Sequence, residues 1–434
     1  CEGDAHLANH RCAVASAAEH SGVASLAAVP AERWRAERVA GRLFVKTGED
    51  AGAAGGADGC GHEGVCEADA TIGKGVYDRG ARDRVAGAPE DIVAVVPPDL
   101  VECTVEKVAV NAVMAGCRPE YLPVVLAAVE AACTPEFNMH GLLCTTMPVG
   151  PIMVVNGPIT ERIGMNAGIN VLGQGNRANA TIGRALQLVV RNVGGGRPGE
   201  IDRATHGSPA KYGLCFPEDE AGSPWESLAE SRGFAPGTDA VTLFPGEGPR
   251  LIFDQASRSP ESLVKHLALG LRASVSPKLA MAFDGMLVLS PEHMARFADA
   301  GWDRARFLAE ISEALTLDGD DLIRGAGGIE EGLPEFLAGS PVPKFPEGGL
   351  LVGHAGGGAG LVSAIIGGWA NGETGSMPLT TEITPRAPRF ATPPATGDPP
   401  DASASPGPNR SPDSPSGCST SPHPAAPSSS TASR

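Results

Sequence analysis

The chain has 434 residues, and 51 acidic against 34 basic side chains give it a formal charge of −17. That balance excludes a general nucleic-acid binder, which needs a basic face for phosphate contacts. Hydrophobic residues at 42% supply one or two cores and exclude wholesale disorder, and no apolar run reaches the roughly 20 residues that span a bilayer.

Ten cysteines over this length are too sparse for a secreted disulfide framework. No charged segment followed by an apolar one opens the sequence, so a cytoplasmic protein with reduced thiols is expected. Residues 1–88 are weakly patterned, with Ala, Gly and Asp clustered at 51–58 and one short apolar run at 43–45. A helix over 31–40, opened by Pro30, fits the alternating charges there. Cys60-Gly-His-Glu-Gly-Val-Cys66 brings two thiols and an imidazole together, but it is not C-x-x-C and no second ligand pair follows at zinc spacing. No metal site is expected.

From Asp91 the texture becomes periodic. The β-branched run 92–96, closed by Pro97 and Pro98, reads as a strand. Residues 105–115 place Val108, Ala109, Ala112 and Val113 on one stripe, a helix that Gly116 stops, and Pro119 opens a second helix through Ala132. Glu102 and Glu106 are four apart on the first helix, as are Lys107 and Asn111. Two adjacent polar stripes result: Glu106 and Lys107 suit a general acid and base, and a solvated face explains the same letters. Cys117 lies between one helix end and the next helix start, where the dipole would lower its pKa and make it a nucleophile or redox thiol. A small buried hydrophobe is the plain alternative.

Two apolar runs, 141–146 and 152–155, read as strands, and a polar passage from Asn156 through Asn166 and Asn170 leads into a helix over 178–193. Ile182, Leu186, Val189 and Val190 form its buried face. Asn176 or Asn179 caps it, and Arg177 and Arg184 near the same end make an anion site; capping alone accounts for one of the asparagines. A loop-rich stretch to about Pro236 carries Lys211-Tyr212 and Glu218-Asp-Glu220.

Residues 240–244 and 250–253 read as two strands around the turn 245–249, followed by a helix over 260–274, a strand over 286–289, a helix signal at Ser290 and a helix over 303–315. A last strand over 349–352 enters the glycine-rich loop 353–360, after which a small apolar helix is expected. Backbone N–H groups at Gly356, Gly357 and Gly358 suit an anion. The loop lacks the Lys and Ser/Thr of a Walker loop, so no motif names a cofactor. His140, His206, His266, His293 and His354 stand isolated, and no G-x-S-x-G elbow is present. Residues 386–434 contain no Val, Ile, Leu, Met, Trp or Tyr and read as a disordered Pro/Ser-rich tail. Alternating strands and helices give an α/β class, with two mixed α/β domains at 89–235 and 236–385 between a weakly structured N-terminal segment and that tail.

The run Val105-Glu-Lys-Val-Ala-Val-Asn-Ala-Val-Met-Ala-Gly-Cys-Arg-Pro-Glu-Tyr-Leu-Pro-Val-Val125 resembles the bacterial UGSC family of (seleno)proteins and their companion domains. Gly175-Asn-Arg-Ala-Asn-Ala-Thr-Ile-Gly-Arg184, Gly194-Gly-Gly-Arg-Pro-Gly-Glu200 and residues 355–369 extend the resemblance over about 89–383. It implies thiol or selenol redox work, and it raises Glu106, Lys107, Asn111, Cys117, Asn176, Arg177, Asn179 and Arg184 as site residues. The family's Cys-Gly-Ser-Cys motif is absent; the nearest string, Ser416-Gly-Cys-Ser419, does not match.

Two main functional expectations follow, with a nucleotide-dependent enzyme using the glycine loop 353–360 as a weaker third. One is a metabolic enzyme or catalytic-complex subunit, a thiol-dependent oxidoreductase or lyase, acting on a small anionic metabolite. Asn111, Asn176, Arg177, Asn179, Arg184 and the glycine loop would bind the anion, Glu106 and Lys107 would move protons, and Cys117 would react. The other is a non-catalytic binding or assembly subunit for a thiol or selenol redox partner. Further copies of the chain are an optional partner; nucleic acid and membrane are not expected.

Overall fold

The computed structural model describes residues 35–39, 42–46, 87–324, 334–372 and 375–384. In place of the helix expected over 31–40, Arg35–Val39 (β1) and Arg42–Lys46 (β2) pair antiparallel. The loop at Cys60 to Cys66 and the tail 386–434 lie outside the described residues, as does most of 1–88. Ile92–Val96 (β3) and Val101–Thr104 (β4) form a second antiparallel pair that leads straight into Val105–Ala115 (α1). Local chemistry fixes α1 at both ends: the Thr104 side chain accepts the Lys107 N–H, and Gly116 takes the left-handed conformation at φ 93°. Leu122–Ala132 (α2) follows after one 3-10 turn opened by Pro119.

The apolar run expected as a strand over 141–146 is a short helix, Met139–Cys144 (α3), because the Asn138 side chain accepts the Gly141 N–H and starts a turn. A run of this length carries no period that separates strand from helix. Gly150–Asn156 (β5) is buried throughout; then come Ile159–Arg162 (α4), the amphipathic Arg177–Asn192 (α5), Cys215–Pro217 (β6) and Leu228–Ser231 (α6). The second half runs Ala240–Gly246 (β7), Arg250–Phe253 (β8), Pro260–Arg272 (α7), Phe283–Leu289 (β9), Pro291–Asp299 (α8) and Arg304–Leu315 (α9). Leu317–Asp318 (β10), Gly319–Ile323 (α10), Pro341–Val342 (β11), Leu350–His354 (β12), Val362–Ala370 (β13) and Leu379–Glu382 (β14) complete it. Among the described residues, no helix is long and apolar enough to cross a membrane.

The strands are ordered β12-β9-β13-β7-β5-β6, with β14 added to β7 and β8 to β13. β9 with β12 and β5 with β6 are parallel, and the other pairs are antiparallel. Side chains alternate across this mixed sheet, as the pleat requires. Ile152, Val154, Phe216, Phe244, Met286, Val288, Leu351, Ala364 and Ile366 point to one common apolar interior supplied by all six strands of the path. Their neighbours point outward, Met153, Val155, Cys215, Val241 and Leu243 under α1, α2 and α5, and Leu287, Leu289, Val352 and Ile365 under α7 to α9. One interior fed by both end strands means that the sheet curls. Its ends, β6 and β12, meet where the Asp219 N–H donates to His354 O at 2.8 Å. The boundary expected near 236 therefore falls inside one sheet, since β5 pairs with β7 along its length, and each expected half carries its own outer cluster.

The pairing pattern occurs twice. β5, β6 and β7 relate to β14 as β9, β12 and β13 relate to β8, and each half lends its last strand to the other. The hydrogen bonds repeat with it: Glu218 N–H to Val155 O matches Ala355 N–H to Leu289 O, both at 3.1 Å, and Ile383 N–H to Asp239 O matches Asp254 N–H to Leu361 O. Equivalent residues pair with each other at Gly246 and Gly368, so a local two-fold axis passes through that antiparallel bridge. This exchange bears on two expectations: the strands expected around the turn 245–249 are both present but paired elsewhere, and one expected helix is corrected. β7 and β8 do not pair across the turn 245–249, because β8 crosses to β13. The segment after the glycine loop is the strand β13 rather than a helix, because β9 and β8 pair with its two edges.

The bridge tolerates no side chain at one of its glycines. A Cβ on Gly368 would stand 2.5 Å from the Asp284 carbonyl oxygen, whereas one on Gly246 would meet only side-chain atoms of Ile152, Ile366 and Phe244, each at 2.8 Å. Gly368→Ala is expected to cost about 2–3 kcal/mol in urea unfolding, and more than Gly246→Ala, because side chains yield more easily than backbone. Equal losses would contradict this packing.

Candidate functional site

The residues nominated from sequence fall into three places. At the end of α1, the Arg177 Nε donates to Gly116 O at 2.8 Å, and the Cys117 Sγ donates to Thr181 O at 3.3 Å, so Cys117 and Arg177 are neighbours. The thiol is buried, and that burial pushes it up to about 11, against smaller lowering effects from the Thr181 hydrogen bond and the Arg177 charge. A helix start beside it does not offset lost solvation. Glu106 and Lys107 are exposed at the other end of α1, about 15 Å away at 1.5 Å per helical residue, with the Lys107 Nζ donating to Glu102 O at 2.6 Å. Asn111 is buried between α1 and α5, donating to Lys107 O and accepting from the Asn192 side chain.

The third place joins the two expected anion loops. The Asn179 side chain bonds the Asn166 N–H, Asn166 O and Val171 O, and Asn176 caps α5 through the Asn179 N–H. The loop they shape receives the Gly356 N–H on Ala167 O at 2.8 Å, and Gly357 packs on Ile169. The amides are thus spent on the loop's own backbone. Gly358 is exposed, and Arg184 is half-buried on α5.

A different cluster forms where the curled sheet closes. Asn156 ends β5, Glu218 follows β6 and His354 ends β12, and in α/β sheets the ends of parallel strands are where ligands bind. The Asn156 Nδ2 donates to Glu218 Oε2 at 2.6 Å and to Glu220 Oε1 at 2.7 Å. Glu218 also accepts the Leu228 N–H at 2.6 Å and the His354 N–H at 3.3 Å. The His354 Nδ1 donates to Asp219 O at 3.0 Å, and in that tautomer Nε2 carries the ring's lone pair. Asn156 Oδ1 and His354 Nε2 are both buried without a hydrogen-bond partner. Burial raises the Glu218 carboxyl above the usual carboxylate range, with the Asn156 and Leu228 hydrogen bonds and the Arg304 charge working the other way.

Internal symmetry marks this seam as the place where the two halves differ. The counterparts of His354 and Glu218 are Pro217 and Ala355, so the polar groups come from one side of each pair only. Arg304 closes the cluster, its guanidinium donating to Val352 O and Glu226 O, both at 2.9 Å. Beside the seam, residues 221–224 and α8 enclose an open cleft of about 400 Å³. Gly222 is part of its wall, and a Cβ there would lie 3.1 Å from the His354 Cε1. Among the described residues no group of His, Cys, Asp and Glu suits a metal ion. Sequence reasoning had Asn156, Glu218 and His354 in view singly; the available signal was that Asn156 and His354 end apolar strand runs.

Away from the seam, Asp284 is buried near the Gly368 bridge, where burial raises it to about 6 against the Asn371 hydrogen bond and the Arg232 charge. A carboxyl raised on folding holds its proton more tightly in the native state. The stability it confers is full below about 3.9 and lost as pH climbs through about 6. Between pH 4 and 7 the wild type should lose on the order of 2–3 kcal/mol relative to Asp284→Asn, at about 1.4 kcal/mol per unit. Parallel pH profiles of urea midpoints would contradict this. For the thiols, iodoacetamide at pH 7.5 should alkylate the exposed Cys144 at least about 100-fold faster than Cys117 in peptide mapping of the native protein. Compared with known proteins, the chain matches no family model and no curated protein.

Proposed function

We propose that this chain is a metabolic enzyme, or the catalytic subunit of a larger complex, that moves a proton on a small polar metabolite at the β6–β12 seam. His354 is its base through Nε2, Asp219 orients the ring through Nδ1, and Asn156 and Glu218 hold the substrate-facing geometry. The observation that carries this reading is the pair of buried acceptors, Asn156 Oδ1 and His354 Nε2, that have no partner. Each such group costs about 1–3 kcal/mol, a large share of a total stability of about 5–15 kcal/mol. A fold keeps costs of that size where function needs them. The Cys117 thiol is assigned no chemistry, since its burial and the Thr181 bond favour the protonated form.

A second reading, a binding or assembly subunit for a thiol or selenol partner, draws on a separate observation. Ile92, Val95, Leu100 and Val101 around the β3–β4 pair, with Val110 and Met114 on α1, are apolar and exposed. The two readings separate in one experiment. Defined mixtures of small hydroxy, oxo and amino compounds are incubated with the protein in D2O, and exchange or conversion is followed by NMR. Wild type should act on at least one compound, and His354→Gln should slow it by about 100-fold or more, the usual contribution of a general base. Equal rates in both proteins would defeat the assignment. So would no conversion together with a higher melting temperature for His354→Phe, and the assembly reading would then take its place.

A further inference from the structure

We propose that the open edge of β8 is an interaction surface for a second copy of this chain, which adds its own β8 antiparallel across a two-fold axis at Ile252. This is independent of the chemistry at the seam. β8 pairs with β13 on one side and, among the described residues, with no strand on the other. The Asp254 N–H donates to Leu361 O at 3.0 Å, which fixes the phase of that ladder. Antiparallel pairing alternates, so Arg250 and Ile252 turn their backbone groups to β13, and Leu251 and Phe253 turn theirs away from it. The same two residues carry exposed apolar side chains, Leu251 at 61% and Phe253 at 59%. Beside them on α7, Leu269 is 62% exposed, next to Gly270, where a Cβ would stand 2.7 Å from the Ile252 Cδ1. An unguarded apolar edge of this kind is a template for another strand.

The internal repeat shows the other half guarding the same position. The counterparts of Leu251 and Phe253 on β14 are Thr380 and Glu382. Glu382 puts an exposed charge on that edge, and Thr380 takes the Arg232 Nε at 2.6 Å and bonds the Thr242 hydroxyl at 2.9 Å. Arg232 belongs to the long passage between β6 and β7, whereas β12 and β13 are joined by the glycine-rich residues 355–361, too short a loop to cover β8 in the same way. β8 is complementary to itself. With Ile252 on the axis, Leu251 faces the partner's Phe253, and Phe253 faces the partner's Leu251. Every N–H and C=O group that the two copies turn outward is then used, and the apolar side chains meet as cross-strand pairs. Arg250 falls opposite the partner's Asp254, so no like charges oppose one another. Pro249 on one side and the turn from Asp254 to Ser257 on the other end the edge, which holds the register to these residues.

The test is sedimentation velocity of the full chain from about 2 to 400 µM, with amide hydrogen exchange measured at both ends of that range. Wild type should pass from monomer to dimer with half-dissociation on the order of 10–100 µM, as a contact smaller than the standard 800 Å² or so per partner implies. Exchange at Leu251 and Phe253 should slow about 5-fold or more at the high concentration. Phe253→Lys gives β8 a charge where β14 carries one, and it should stay monomeric with an unchanged melting temperature, as should Leu251→Lys. Glu382→Lys, on the guarded edge, should dimerise as wild type does. A chain that stays monomeric throughout would overturn the proposal. So would a dimer that both β8 lysine variants form as readily as wild type, or protection that grows with concentration at the β3–β4 pair and not at β8, which would place the contact on that other exposed apolar face.

Discussion

One buried carboxylate ties together chain segments that the sequence keeps far apart. Glu218 takes the Asn156 side chain at the end of β5, the Leu228 N–H at the start of α6 and the His354 N–H at the end of β12. Without those three donors its charge would be stranded in a nonpolar interior, a situation proteins avoid at several kcal/mol. With them, the carboxylate fastens the two ends of the sheet to each other, and the apolar interior of Ile152, Phe216, Phe244, Met286, Leu351 and Ile366 is closed. The same economy explains why the polar cluster sits here. A curled sheet needs a seam, and the last residues of β6 and β12 run out of ladder partners there, so side chains must satisfy what the backbone cannot.

The internal repeat gives that seam its asymmetry. Two copies of one strand pattern face each other across the Gly246–Gly368 bridge, and the exchange of β8 and β14 welds the halves into a single sheet. A repeat of this kind offers the same position twice, and the two versions are free to diverge. Asn156 ends β5 and its counterpart Ser290 follows β9, and both hold a buried oxygen without a partner. Around Ser290, however, the neighbours form a closed set: His293 bonds the Ser363 Oγ at 2.7 Å, Ser363 also takes the Ser290 N–H, and Glu292 takes the Leu361 N–H. Around Asn156 the acids are consecutive and the imidazole is left with a free nitrogen. Both halves keep an unpartnered oxygen at this position, but only Asn156 shares its carboxylate partner, Glu218, with a histidine whose Nε2 is unpartnered as well.

Local order was legible in the sequence and long-range order was not. The ends of α1 and α5 follow from Thr104, Gly116 and Asn176, whose effects act within four residues. The strands over 92–96, 152–155, 240–244 and 286–289 follow from β-branched and apolar runs bounded by turns. Partner choice does not: β8 lies four residues from β7 yet pairs with β13, more than a hundred residues on, because the repeat exchanges strands. Cys117 shows the same limit at one side chain. Gly116 and Pro119 placed it correctly between two helices, but α5, which folds over it and supplies Thr181, enters the sequence sixty residues later. The seam was illegible for a further reason, since Asn156, Glu218 and His354 share no motif and are brought together only by closure of the sheet.

Closure also constrains how any ligand could reach His354. The ring is fixed at Nδ1 by the Asp219 carbonyl, and the Asp219 N–H is fixed in turn by His354 O, so each residue holds the other's backbone. Displacement of the His354 backbone would therefore open the sheet, at the cost of both bonds and of the Glu218 contact to the His354 N–H, whereas rotation of the imidazole would break the Nδ1 bond alone. Residues 221–224 are less committed: Gly222 is held by the Asp219 side chain, and its outer surface faces the cleft. Displacement of residues 221–224 breaks the Gly222 and Ser223 N–H bonds to Asp219 and Glu220 and the Ser223 contacts to Trp225, and leaves the Asp219–His354 pair intact. The seam is therefore fixed at Glu218, Asp219, Glu220 and His354, and the looser part of the loop begins at Ala221, on the side of the cleft.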